Sequence, residues 1–140
     1  MTQVAHIEFH DAKVAQISIM LAGIVRVEFK HVSVYVKIKE EHFEVLSAHA
    51  VLQLEGVTTI EMRGAFQTDD YISDGVLFDE TGLEITTELT PDRLIKGKRL
   101  ELLFAGSGAE ARFSMRTASF VVKKFLMKLD DWKGPLVSKA

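Results

Sequence analysis

Cysteine is missing from this 140-residue chain, and proline occurs only twice. The absence of cysteine excludes disulfide scaffolds, thiolate zinc sites, iron–sulfur clusters and thiol catalysis. A basic excess is also missing, since the formal net charge is −3, and this argues against a general nucleic-acid-binding role. No apolar run is long enough to span a bilayer. The main candidate, residues 14–25, is only twelve residues long and contains Gln16 and Ser18.

Aliphatic residues are abundant, and 47% of the chain is hydrophobic. That composition supports a folded chain with a sizeable core, which we expect to be one domain covering residues 1–140. The apolar run at 14–25 follows Lys13 and resembles the core of a signal peptide, but the acidic residues Glu8 and Asp11 precede it instead of a positive region. We therefore expect a strand at this position and a cytoplasmic protein.

Alternation of apolar and polar residues dominates the first half of the chain, as is typical of β-strands. In residues 25–30 the apolar positions are odd-numbered, whereas in residues 32–38 they are even-numbered. A strand that keeps its apolar side inward must gain a residue between these segments. The sequence therefore predicts a β-bulge or a tight turn at Lys30-His31.

Turn-forming residues divide the remainder into short segments, and Asp79-Glu80-Thr81-Gly82 is typical of a hairpin loop with glycine in the left-handed region. About ten strands are predicted, at residues 3–9, 13–21, 24–30, 32–39, 43–54, 57–66, 75–79, 83–89, 98–105 and 109–122. Many short strands with frequent turns indicate an all-β antiparallel domain, for which we expect a two-layer β-sandwich. A partly closed β-barrel is the alternative.

Two segments are also compatible with a short helix. In residues 41–54, Phe43, Leu46, Ala50 and Leu54 have helical spacing, but the even-numbered residues from Leu46 to Leu54 also alternate. In residues 121–129, the apolar residues again have helical spacing. We expect a strand at 41–54, while periodicity leaves helix and strand open at 121–129.

Charge is unevenly distributed along the chain. Residues 64–92 contain eight acidic residues and no lysine or arginine, whereas residues 93–140 contain eleven basic and four acidic residues. The simplest expectation is that these segments neutralise each other within the fold. The alternatives are that they meet between subunits or that the basic segment holds an anionic ligand.

His6, Glu8 and His10 are the candidate metal ligands, because two imidazoles and a carboxylate suit zinc, iron or manganese. On a strand all three share one face, but His6 and His10 would be about 13 Å apart. One ion cannot bind both without severe bending of the strand. We therefore expect a solvated polar face and no metal or other cofactor.

Two further motifs invite a functional interpretation. The acidic segment at residues 69–75 has oxygen ligands but not the spacing of a calcium-binding loop, and we expect it to be solvent-exposed. The segment at residues 106–111 matches the G-x-G-x-x-A form of a dinucleotide fingerprint. Its position near the end of a β-rich chain leaves no room for further strand–helix units. A turn between two strands explains these glycines.

The sequence contains no recognisable nucleophile motif, and its function is not evident from it. We expect a non-enzymatic binding or assembly module that acts through protein contacts and forms a homodimer, with no nucleic acid among its partners and no membrane span. The first alternative is a small-molecule-binding β-barrel with an interior cavity lined by Phe9, Phe29, Phe66 and Phe104. The second is a metal-dependent enzyme that uses the histidines of the N-terminal strand.

Overall fold

The computed structural model describes residues 4–67, 69–86, 89–91 and 93–134. Within these ranges the chain forms nine β-strands. The strands are β1 (Val4–Met20), β2 (Ile24–Lys39), β3 (His42–Glu55), β4 (Thr59–Arg63), β5 (Ile72–Phe78), β6 (Leu94–Lys96), β7 (Arg99–Phe104), β8 (Glu110–Ser114) and β9 (Thr117–Lys133). No helix in the described part is long and apolar enough to cross a membrane.

The strands form two antiparallel sheets. Sheet A has the order β1-β2-β3-β9-β6, and sheet B has the order β4-β8-β7-β5. The predicted all-β, two-layer sandwich is confirmed. The partly closed barrel is wrong, because each sheet keeps its own two edge strands.

The apolar faces of the two sheets share one buried cluster. Its largest fully buried side chains include Phe29 of β2, Phe113 of β8 and Phe120 of β9. Phe29 lies between two other rings, with centroid distances of 5.6 Å to Phe9 and 6.4 Å to Phe120. This packing follows from the alternation in the sequence, since every second residue of a strand points to the same face.

The predicted irregularity at Lys30-His31 is confirmed as a β-bulge within one long strand. Phe29 pairs with Ala50 and Val32 pairs with Ala48, so two residues of β2 oppose a single residue of β3. The bulge restores the inward direction of the apolar side chains. For this reason the predicted strands 24–30 and 32–39 are one strand, β2. The predicted strands 3–9 and 13–21 are likewise joined in β1, across the irregular region between Glu8 and Lys13.

The alternative prediction of a short helix near 41–54 or 121–129 is wrong, because both segments are strands. Residues 42–55 form β3, which is paired on both sides, with β2 and with β9. Residues 121–129 belong to β9, which shows three register shifts against β3. Each shift inserts one extra residue into β9, and successive shifts are separated by two residue pairs between β3 and β9. The apolar residues therefore recur about every three positions, which resembles helical spacing.

Other strand predictions differ in their bounds. The predicted strand 57–66 is shorter in the structure, where it corresponds to β4. The predicted strand 75–79 corresponds to β5, which begins earlier in the chain. The predicted strand 109–122 is divided into β8 and β9, whereas the short strand β6 was not predicted. Residues 83–89 contain only an isolated bridge between Glu84 and Phe78 in the described part, and residues 87 and 88 lie outside it. The loop at residues 79–82 is confirmed, with Gly82 at φ +85°.

Candidate interaction surface

The second half of β9 extends beyond its neighbour on the edge side. β6 pairs with β9 only from Leu94↔Ser119 to Lys96↔Thr117, and an isolated bridge joins Pro91 to Phe120. Beyond Phe120, β3 is the only described strand that pairs with β9. Residues 121–133 of β9, here called the β9 extension, therefore present a long unpaired strand edge among the described residues.

The β9 extension carries a concentration of exposed apolar side chains. Their exposed fractions run from 37% for Val121 to 63% for Met127. The set consists of Val121, Phe125, Leu126, Met127, Leu129 and Trp132. A strand that is solvated on both faces and also along its edge is the kind of surface that native proteins normally cover.

Bulges in the β9 extension set which residues share a face. Lys124, Met127 and Asp130 pair with His49, Ser47 and Val45 of β3. Directly opposed residues of an antiparallel pair project to the same side of the sheet. Since the β3 partners are two residues apart, Lys124, Met127 and Asp130 lie in one row on the outer face of sheet A, which is the face turned away from sheet B.

Some charges of the β9 extension are neutralised locally. Lys128 Nζ lies 3.1 Å from Asp131 and 3.4 Å from Glu44. The hydrogen bond between Lys128 and Asp131 is the largest cause of the raised pKa of Lys128 and of the lowered pKa of Asp131. Lys123, Lys124 and Asp130 take part in no ion pair with any other described residue, which leaves their charges available to a partner.

Trp132 is held in a polar and aromatic cluster on the outer face. Its ring meets that of Tyr35 edge-on, with centroids 6.4 Å apart, and His6 contacts Tyr35 at 5.3 Å. The hydroxyl of Tyr35 donates a hydrogen bond to Glu8 at 3.0 Å. Burial, followed by the charge and the hydrogen bond of Glu8, raises the pKa of Tyr35 to about 12. The phenol thus remains a neutral hydrogen-bond donor at physiological pH.

The three candidate metal ligands do not converge on one point. His6 and Glu8 face Tyr35, whereas Nδ1–H of His10 donates to the Ser73 carbonyl at 2.7 Å. That hydrogen bond, followed by the charge of Asp11, raises the pKa of His10. No group of three histidine, aspartate or glutamate side chains in the described part is arranged to hold a metal ion.

The glycine-rich turn binds a carboxylate of the chain itself. Asp70 accepts hydrogen bonds from the backbone N–H groups of Gly106 and Ser107, both at 2.9 Å, and from the Ser107 hydroxyl at 2.6 Å. The Ser107 hydroxyl is the largest cause of the lowered pKa of Asp70, ahead of the backbone donors and against the effect of burial. A Cβ atom at Gly106 would collide with Oδ1 of Asp70. Sequence reasoning missed this pairing, and it corrects the expectation that the whole acidic segment is solvent-exposed, because Asp70 is buried.

The acidic and basic segments do not neutralise each other through ion pairs among the described residues. Asp69 pairs with Lys30 of β2 at 3.7 Å, while Lys128 pairs with Glu44 and Asp131. Arg99 and Arg112 both approach Glu101. The basic segment therefore finds its partners on its own strands and on β3.

A groove of about 530 Å³ lies on the outer face of sheet A and is lined in part by the first residues of the β9 extension. Its lining includes Arg26, Glu28, Val51, Gln53 and Lys123. Within it the Nε–H of Arg26 donates to Gln53 at 2.8 Å, and His49 Nε2 lies 3.0 Å from Glu28. Most of its charged groups thus already have partners inside the chain.

The aromatic residues expected to line an interior cavity have two different environments. Phe9, Phe29 and Phe104 are buried in the shared core, whereas Phe66 is 36% exposed and meets Phe104 edge-on. The rings pack in two pairs, Phe9 with Phe29 and Phe66 with Phe104.

Comparisons of this chain with protein-family models, with curated proteins and with solved structures found no match.

Proposed function

We propose that the chain is a non-enzymatic assembly module that acts through protein–protein contacts, with a second copy of itself as a partner. The observation that carries this proposal is the β9 extension, whose edge pairs with no other strand in the described part of the chain and which carries six exposed apolar side chains. Unpaired N–H and C=O groups on such an edge are a template for another strand. Covering this edge would also remove apolar surface from water, which is the main driving force of most protein association.

The charges of the β9 extension support a selective contact. Lysines on an edge strand protect it against indiscriminate pairing, and Lys123, Lys124, Lys128 and Lys133 have this effect here. Asp130 on the same segment forms no ion pair with another described residue and favours a partner of complementary charge. Electrostatic complementarity of this kind sets register and specificity more than affinity.

A small-molecule-binding role is a second candidate, because the outer-face groove of about 530 Å³ has a volume typical of ligand sites. The lining of this groove is polar, and Arg26 and Glu28 are already hydrogen-bonded within the chain. The ligand-binding role is therefore less favoured than the assembly role. A thermal-shift screen that includes lipids and divalent metals separates the two, because a ligand that binds the folded chain raises the melting temperature by an amount that grows with the logarithm of its concentration divided by its dissociation constant.

Light scattering coupled to size-exclusion chromatography tests the assembly proposal directly. Over a concentration series in the micromolar range, we expect the mass to rise from 15.7 kDa towards twice that value. A constant mass of 15.7 kDa at every concentration, in both low and moderate salt, would contradict self-assembly.

A further inference from the structure

Two pairs of opposite charges lie at equal distances on either side of Met127 in the β9 extension, whereas Lys128 and Lys133 have no charged counterpart. Lys124 lies three residues before Met127, and Asp130 lies three residues after it. Lys123 and Asp131 lie four residues before and after it. When an antiparallel strand pairs with a copy of itself about this central residue, the pattern places opposite charges across from each other, which is favourable.

The structure places the central members of this pattern on one face. Lys124, Met127 and Asp130 form the outer-face row of the β9 extension, opposite His49, Ser47 and Val45. Two residues separate Lys124 from Met127, and two separate Met127 from Asp130. The spacing along the row is therefore the same in both directions from Met127. An antiparallel copy can keep the register of its row with that of β9 in spite of the bulges.

We propose that the unpaired edge of the β9 extension binds the same edge of a second copy in antiparallel orientation, about a two-fold axis at Met127. The inference rests on the proposed assembly function and names its contact surface. Lys124 of each copy then lies opposite Asp130 of the other, on the same face of the joined sheet. Phe125 lies opposite Leu129, and Met127 lies opposite itself.

Neighbouring registers are disfavoured by charge. With the axis at Leu126, Lys124 would oppose Lys128 of the second copy, and with the axis at Lys128 this lysine would oppose itself. Like charges directly opposed across strands are destabilising. Among these three registers, only the one centred on Met127 places Lys124 opposite Asp130, two residues that form no ion pair with another described residue.

The expected affinity is modest. Stable interfaces commonly bury about 800 Å² per partner, and one pair of strand edges buries less. Backbone hydrogen bonds between the edges add to the apolar contacts, as in other complexes formed by strand addition. We therefore expect a dimer that dissociates on dilution.

Disulfide trapping tests the axis. Because the chain contains no cysteine, Met127→Cys introduces a single thiol that meets its own copy at the two-fold axis. Opposed residues of an antiparallel pair have Cα atoms about 4.5–5.5 Å apart, within the range that a disulfide bridges. We expect mild oxidation to convert the Met127→Cys variant into a covalent dimer.

The matched control is Met62→Cys, because Met62 is 40% exposed and lies on β4, one of the two edge strands of sheet B. We expect it to remain monomeric under the same oxidation. Equal crosslinking of both variants would overturn the proposal, because it would indicate random collision or pairing through another edge.

Charge exchange tests the register. Lys124→Asp and Asp130→Lys each place like charges opposite one another, and we expect each to weaken dimerisation by about tenfold, given that exposed pairs are individually weak. The double variant restores opposite charges, and we expect it to recover most of the lost affinity. Lys96→Asp on β6 is the control and should leave the dissociation constant unchanged.

The outcomes separate the two proposals. A dimer that neither crosslinks through residue 127 nor responds to charge exchange would overturn the β9 pairing and leave the assembly function in place. A chain that is monomeric at every concentration would overturn both.

Discussion

The carboxylate of Asp70 occupies the anion-binding position that the turn at residues 106–108 offers with its backbone N–H groups. Two of these groups and the Ser107 hydroxyl converge on Asp70, so the turn needs no external anion. The sequence correctly indicates a turn between two strands at these glycines. It could not identify the occupant, because Asp70 lies 36 residues earlier in the chain than Gly106.

Replacing Asp70 with asparagine should destabilise the fold by roughly 2 kcal/mol, since hydrogen bonds to a charged group are lost and an amide group faces N–H donors. Chemical denaturation at neutral pH measures the loss. The matched control is Asp69→Asn, because the Asp69 side chain is half-buried and its carboxylate contributes one long ion pair to Lys30. An equal effect of the two substitutions would contradict the role assigned to Asp70.

The effect of Asp70 should also depend on pH with a defined sign. Its pKa is lower in the folded chain than the ordinary value of about 3.9. A group of this kind stabilises the fold above its unfolded pKa, and the stabilisation is lost as the pH falls through the folded pKa. The stability difference between the natural chain and Asp70→Asn should therefore be constant above about pH 5 and shrink below about pH 4.

At the scale of the element, β9 belongs to two different environments. Phe120 is fully buried beside Phe29, while Phe125, five residues later, is 38% exposed. The alternation that identified the first part of the strand depends on burial against a second sheet. In the β9 extension the bulges change the spacing of residues on one face from two positions to three. Because three is close to the helical period, periodicity alone could not distinguish a helix from a strand there.

Alanine substitutions at these two phenylalanines should differ sharply in cost. Phe120→Ala leaves a cavity in the shared core and should cost about 3–5 kcal/mol. Phe125→Ala removes a side chain that is partly solvated already and should cost no more than about 1 kcal/mol. Urea unfolding at concentrations that keep the chain monomeric measures both. Similar costs would mean that the β9 extension is packed more tightly than its exposure indicates.

At the scale of the whole molecule, the sequence predicts the architecture better than the surface. Alternation and turn residues identified the two-layer sandwich, since both reflect local geometry and burial. The unpaired edge of β9 depends on how far β6 reaches along its neighbour, which is a long-range property. The segregation of charge was visible in the sequence, but the described ion pairs lie mainly within and between neighbouring strands.

Salt dependence should distinguish the forces that hold the assembly together. At about 1 M salt, exposed charges are screened within roughly 3 Å, whereas apolar burial persists. The net charge of −3 per chain adds little long-range repulsion between copies. If apolar side chains such as Phe125 and Leu129 supply most of the affinity, raising the salt from about 0.05 M to 1 M should weaken the dimer by less than about tenfold, since exposed ion pairs contribute little. Sedimentation at several salt concentrations measures this change. Complete dissociation at high salt would instead assign the affinity to the pairs of Lys124 with Asp130, and the doubly exchanged variant would then have to show the same response.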